Sequence, residues 1–138
     1  MNSRSRISEA RNKREESNVM QSYKDFEVYK RSYAAALRVH KLTLNFPDLE
    51  KRELGSQMRR ASKSIPLNIG EGYARSKSVD DFKRFLTMSI GSCDEMKILI
   101  EFCRDLNYID VAVYQELAGE YEQIGKMLYG LHQSWRKF

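Results

Sequence analysis

From Tyr23 onward, apolar side chains recur at spacings of three and four, the period of helices that each bury one face. Phe26, Tyr29, Tyr33, Leu37, His40 and Leu44 form the first stripe, while Lys30, Arg31, Arg38 and Lys41 fall mostly on the other side. The helix should stop near Phe46 and Pro47, because the residue before a proline avoids the helical region. A second helix starts around Asp48 to Lys51 and aligns Leu54, Met58, Ala61, Ile65 and Ile69. This stripe stays in phase across Pro66, so the pattern predicts a kink, with the Ser62 carbonyl left without its amide partner. S-V-D-D then predicts a third helix over Val79 to Leu106, capped by Ser78 with Asp81 three residues on. Its inner series reads Phe85, Met88, Ser92, Glu95, Leu99 and Phe102. In the fourth segment Tyr114, Leu117, Tyr121, Ile124, Leu128, Leu131 and Trp135 keep the alternation without a miss. No segment shows strand alternation between hairpin turns. The expected fold is therefore all-α, an up-and-down antiparallel four-helix bundle with helix two kinked at Pro66.

Residues 1–22 lack this periodicity and are rich in Arg, Ser, Asn and Glu, which predicts a polar, flexible tail ahead of a bundle over 23–138. A basic arm for nucleic acid is the sharper reading of the same stretch. With 24 Lys and Arg against 19 Asp and Glu, the net charge of +5 permits binding to phosphates without demanding it. The excess is local: residues 51–77 hold seven basic and two acidic side chains, residues 78–110 four basic and seven acidic. Lys51, Arg52, Arg59, Lys63, Arg75 and Lys77 are accordingly the candidate nucleic-acid contacts. The opening lacks the form of a signal peptide, and no apolar run approaches the roughly 20 residues of a membrane span. Cys93 and Cys103, placed on one helix, would stand about 15 Å apart along its axis and could not bridge each other. The expected compartment is the reducing cytoplasm.

The stretch N-I-G-E-G-Y-A-R-S-K at 68–77 resembles a phosphate-binding loop only superficially. The dinucleotide pattern would need a glycine where Arg75 stands, and no second glycine precedes a lysine as a P-loop requires. Gly72 reads as the residue just past a helix end, followed by a loop over Tyr73 to Lys77. His40 and His132 have no companion at a ligand spacing, and the two cysteines lie among apolar neighbours where a thiol is inert. No metal, cofactor or catalytic set is expected, and the chain is read as no enzyme. Polar residues at core phase are more informative. Asn68, Glu71 and Glu95 need partners if buried, and Arg59, Arg60 and Arg75 could supply them. Arg59, Arg60, Asn68, Glu71 and Glu95 form the expected buried network that sets helix register. Ser89, Gly91 and Ser92, and Gly125 and Gly130, would allow close helix approach. The apolar positions of helices one and four cover wider faces than a four-helix core of this length needs, which points to self-association.

The blocks L-T-L-N-F-P, Q-M-R-R-A-S-K-S-I-P-L-N-I-G-E-G, D-F-K-R-F-L, I-G-S-C-D-E-M and L-N-Y-I resemble those of the four-helix bundle proteins encoded in intervening sequences of bacterial 23S ribosomal RNA genes. Their order and spacing are kept from residue 26 to about 131. The resemblance implies an up-and-down bundle that assembles into a ring-like homopentamer, and a related bundle is an accessory to reverse transcriptases of diversity-generating retroelements. The family's characteristic positions fall on Gln57, Arg59, Arg60, Asn68, Glu71, Gly72, Ser78, Asp81, Phe82, Phe85, Leu86, Gly91, Ser92 and Glu95. None makes a catalytic set. Gly70 stands where the family more often has alanine, which would loosen the end of helix two. The functions to weigh are an RNA- or DNA-binding homo-oligomer and a scaffold for a partner protein.

Overall fold

The computed structural model describes residues 22–136, so the expected polar tail lies outside the described residues except for Ser22. Ser22 opens a single 3-10 turn over Tyr23–Asp25 through a reciprocal cap: its Oγ accepts from the Lys24 amide at 3.0 Å and its own amide donates to Asp25 at 3.1 Å. Helix α1 follows over Glu27–Thr43, the short α2 over Asp48–Arg52, then α3 over Leu54–Arg75, α4 over Val79–Asp105 and α5 over Val111–Ser134. The four long helices form the bundle, with α3 between α1 and α4, and α5 closing the ring of packed helices.

Local chemistry sets each boundary. The second helix of the sequence reading divides at Glu53, whose φ of −103° and ψ of −89° are not helical, so α2 is a separate turn before α3. Pro66 sits inside the unbroken α3. Its ring presses on the preceding turn and it lacks an amide donor, the ordinary cause of a helix kink, and one of the bundle helices is bent by 34°. Ser78 caps α4 by accepting the Asp81 amide at 3.0 Å, and Asp110 caps α5 by accepting the Val113 amide at 2.8 Å. Between them Asn107 adopts a left-handed φ of 64°. Its amide bonds to the Arg104 carbonyl and that of Tyr108 to the Cys103 carbonyl, a Schellman closure that uses asparagine in place of glycine.

The core confirms two stripes and displaces two. In α3, Leu54, Met58, Ala61, Ile65 and Ile69 are buried, and in α5 so are Leu117, Tyr121, Ile124 and Leu128. Helix α1 instead buries Val28, Ser32, Ala35, Ala36, Val39 and Thr43, leaving the expected stripe residues Tyr33, Leu37 and Leu44 exposed. Helix α4 buries Phe82, Leu86, Ser89, Cys93, Met96, Leu99, Ile100 and Cys103, so that of the expected series Leu99 lies inside while Met88, Glu95 and Phe102 face outward.

Gly72 is also reassigned. It lies within α3, three residues before the helix ends, and no glycine among the described residues has positive φ. A Cβ there would stand 2.5 Å from Cβ of Phe85, well inside contact distance, so glycine is required for the approach of α4. Tyr73 is likewise helical, and its ring joins Phe26, Phe82 and Trp135 in an aromatic cluster with centroids 5.0–6.2 Å apart. This cluster ties the start of α1, the ends of α3 and α5 and the start of α4 together. Gly91 and Gly130, expected at close helix approaches, would meet nothing within 4 Å of an added Cβ.

Candidate functional site

The six candidate phosphate contacts all lie on α2, α3 and the turn after α3, but most of them are occupied. Lys51 Nζ is 3.4 Å from Asp48, and Arg75 Nη1 donates to Glu71 at 2.6 Å. Lys63 Nζ is 2.9 Å from Nδ1 of the half-buried His40. Arg59 turns inward: Nη1 donates to Oγ1 of Thr43 at 2.9 Å and Nη2 to the Lys51 carbonyl at 2.6 Å. One guanidinium thus holds the end of α1, the end of α2 and the first turns of α3, a structural task its planar fork of donors suits. Arg52 and Lys77 are exposed, with no ion pair among the described residues.

The expected buried network is corrected by the same geometry. Arg60, Glu71 and Glu95 are exposed, where water satisfies their charge and no buried partner is needed. Asn68 is half-buried and donates to the carbonyl and Oγ of Ser64 at 2.9 and 3.1 Å. Ser64 Oγ lies 2.8 Å from Oγ of Ser92, so a short neutral chain, rather than an arginine–carboxylate set, links α3 to α4. Ser89 strengthens that seam by donating to the Ile65 carbonyl at 2.9 Å. The pairs that do cross between helices escaped the sequence reading. Arg31 holds Glu120 through two bonds at 2.7 and 3.1 Å, Arg38 holds Glu116, and Lys97 meets Glu122 at 3.3 Å. They stand 25 to 89 residues apart in the chain, a distance no periodicity spans.

Among the described residues, two surfaces group exposed apolar side chains on the long helices. The first is a cleft of about 620 Å³ between α1 and α3, walled by Tyr29, Tyr33, Leu37, Pro66 and Leu67 and floored by Ala36 and Gly70. The Tyr23 ring packs over Gly70, where an added Cβ would stand 3.2 Å from it. The expected loosening of α3 at Gly70 is not found: the position is continuous helix and makes room for an aromatic ring. Tyr23, Tyr29 and Tyr33 follow one another at centroid separations of 5.0 and 5.9 Å, with Lys24 and Lys30 beside them. Burial and the neighbouring phenols push the Tyr29 hydroxyl above its ordinary pKa. The second surface is the outer side of α4, where Met88, Ile98 and Phe102 are exposed around Glu95.

Both cysteines are free and buried. Burial raises Cys93 to about 11 and Cys103 to about 12, so each thiol holds its proton at neutral pH. Cys93 Sγ donates to the Tyr121 carbonyl at 3.2 Å, and Cys103 Sγ lies 3.3 Å from the Met58 sulfur. No described helix is long and apolar enough to cross a membrane.

Comparison with known proteins agrees with this architecture. A solved structure from Bacteroides thetaiotaomicron, described as a protein with unknown function from the S23 ribosomal protein family, superposes with a TM-score of 0.70 at 23% identity. The match covers 78% of this chain and 96% of that one, and at this identity it speaks for the fold. No curated protein matches the chain. The family model of the 23S rRNA-intervening sequence proteins matches residues 24–130, from the first turn to a point four residues short of the end of α5. The chain belongs to the 23S rRNA-intervening sequence protein family.

Proposed function

We propose that the chain is a non-enzymatic, self-associating helical scaffold. The observation that supports this best is the outward direction of two apolar stripes. Tyr33 and Leu37 are each 50% exposed, Leu67 65% and Phe102 53%, although the helices that carry them have complete inner faces. Monomeric proteins rarely leave such lines of large apolar side chains in water. Homo-oligomers cover them, and closed rings are a common way of doing so. A ring of five is the number the resemblance implies. The protonated thiols are poor nucleophiles and favour a structural role for both cysteines. Two free buried thiols also suit the cytoplasm. Static light scattering on the purified chain tests the reading: a multiple of 16.2 kDa supports it, and a mass of 16.2 kDa at micromolar concentration removes it. A scaffold of this kind would serve a reverse transcriptase or another protein, and co-purification from the native host tests that extension.

A second reading is binding to RNA or DNA. Its support is the row of Tyr23, Tyr29 and Tyr33 beside Lys24, Lys30 and Lys63, since bases stack on aromatic rings and phosphates meet lysines. The net charge of +5 adds a sequence-independent attraction. Gel shifts with structured ribosomal RNA fragments should then show binding at low salt that falls steeply toward physiological salt. No shift at low salt ends this reading.

A further inference from the structure

We infer that the two outward apolar surfaces are each other's partners, so that the α1/α3 cleft of one copy receives the outer ridge of α4 of the next. The inference rests on the self-association reading and specifies its interface. Both surfaces are long and narrow. The cleft lining runs from Lys63 to Ala74 along α3, about 16 Å at the helical rise, and the line from Met88 to Phe102 along α4 about 20 Å. One is concave, a cleft of about 620 Å³ between two helices, and the other is the convex crest of a single helix. Shape alone makes cleft to ridge a better fit than either surface against itself.

Charge selects the same pairing. Lys63 and Glu71 line the cleft, with Glu71 held by Arg75 and with Lys24 and Lys30 at the open end, so its free charge is basic, whereas Glu95 interrupts the α4 ridge and Asp94 and Glu101 flank it. A two-fold contact of cleft with cleft gathers lysines, and one of ridge with ridge gathers carboxylates. Both bring like charges into ground that loses water, which is unfavourable. Cleft with ridge sets Lys63 toward Glu95 and gives that carboxylate, exposed among apolar neighbours, a cation when it is covered. A contact between two different surfaces is head-to-tail, and it continues from copy to copy until a ring closes.

Such an interface has a test that no two-fold contact passes. Leu67→Glu spoils the cleft and leaves the ridge, and Phe102→Glu spoils the ridge and leaves the cleft. Both side chains are exposed, so each variant should keep its helical circular dichroism and its melting transition on dilution. Alone, each variant should scatter light as a 16.2 kDa monomer. Mixed in equal amounts, they should form a dimer with one copy of each and nothing larger, because only one good cleft and one good ridge remain compatible. A mixture that stays monomeric while the unaltered chain is an oligomer overturns the pairing, as does an oligomer that survives both substitutions. An unaltered chain that is itself monomeric removes the self-association reading along with this one. Charge reversal offers a second arm that spares the apolar contacts. Lys63→Glu and Glu95→Lys should each raise the midpoint concentration of assembly by tenfold or more, and the chain carrying both should recover most of it. Failure of the double variant to recover would overturn the contact between these two residues. If Leu67→Glu leaves the mass unchanged but abolishes RNA retention, the cleft binds nucleic acid and the inference is wrong.

Discussion

Helices α1 and α5 carry apolar stripes of the same period, yet α5 turns its stripe into the bundle and α1 turns its bulkiest one away. In α5 the inward positions are large, with Leu117, Tyr121, Ile124 and Leu128 fully covered. In α1 they are small, namely Ser32, Ala35, Ala36, Val39 and Thr43, and the tyrosines and leucines of the opposite side remain accessible. Small residues inside let α1 lie close against α3, and the large ones outside then form the wall of a cleft. The difference teaches that an apolar period marks a face that must be covered without saying by what. In α5 the cover is the same chain.

The comparison breaks most visibly through truncation. Leu128→Ala should lower the unfolding free energy by about 2–5 kcal/mol, the loss expected for a buried leucine whose space cannot collapse. Leu37→Ala, measured in urea at concentrations where the chain is monomeric, should change it by less than about 0.5 kcal/mol. Equal losses would mean that the outer stripe of α1 contributes to folding of the single chain, and the contrast would collapse.

Glycine gives a second contrast of opposite sign. Replacing Gly72 by alanine places a methyl 2.5 Å from Phe85 Cβ, an atom that moves only with the α4 backbone. The overpacking should cost about 1–3 kcal/mol, against which the better helix propensity of alanine returns at most about 1. Gly119 in α5 has nothing within 4 Å, so the same substitution there should stabilise the chain by about 0.5–1 kcal/mol. Thermal melts of the two variants should move in opposite directions; a rise for Gly72→Ala would show that α4 does not lean on α3 at this point.

Arg59 sharpens the distinction between basic residues that build and basic residues that remain available. Arg59→Met keeps the aliphatic length but frees Thr43 Oγ1 and the Lys51 carbonyl, and should destabilise by about 1–2 kcal/mol. Lys77→Ala should leave denaturant midpoints unchanged, since the side chain is exposed. If RNA binds, the ranking reverses in gel shifts performed on the folded proteins, with Lys77 mattering more than Arg59.

Much of the fold was legible from the chain itself. The cap at Ser78 is local hydrogen-bond chemistry, and the stripes of α3 and α5 place large apolar groups where the structure buries them. The phases of α1 and α4 were not legible because their inner faces include serines and cysteines, which a count of bulky apolar groups passes over. Ser32 and Ser62 bond to carbonyls one turn back, and Ser89 bonds across to α3, so each sits inside without an unsatisfied hydroxyl. The division at Glu53 and the contact of Gly72 with Phe85 depend on how distant segments meet. N-I-G-E-G-Y therefore read as a helix stop, since glycine after a helix is usually there for its backbone freedom, whereas here it is there for the absence of a side chain. Of the candidate site, the charged residues were identifiable by type, but their pairings across the bundle were not.

Glu95 is where the two kinds of face meet, and it should give the smallest change in folding. At core phase by sequence, it would be a buried carboxylate whose neutralisation lowers the melting temperature. The structure exposes it between Met88 and Phe102, so Glu95→Gln should leave the melting transition of the dilute chain within about 0.5 kcal/mol of its original stability. Where copies associate, the same substitution should weaken assembly at low salt and have less effect at high salt, because a charge that acts between surfaces is screened before they meet. A fall in the melting temperature of the monomer would return Glu95 to the interior. An unchanged monomer with weakened assembly would show that the third helix of the sequence reading was phased correctly for a core, one completed by a second copy of the chain.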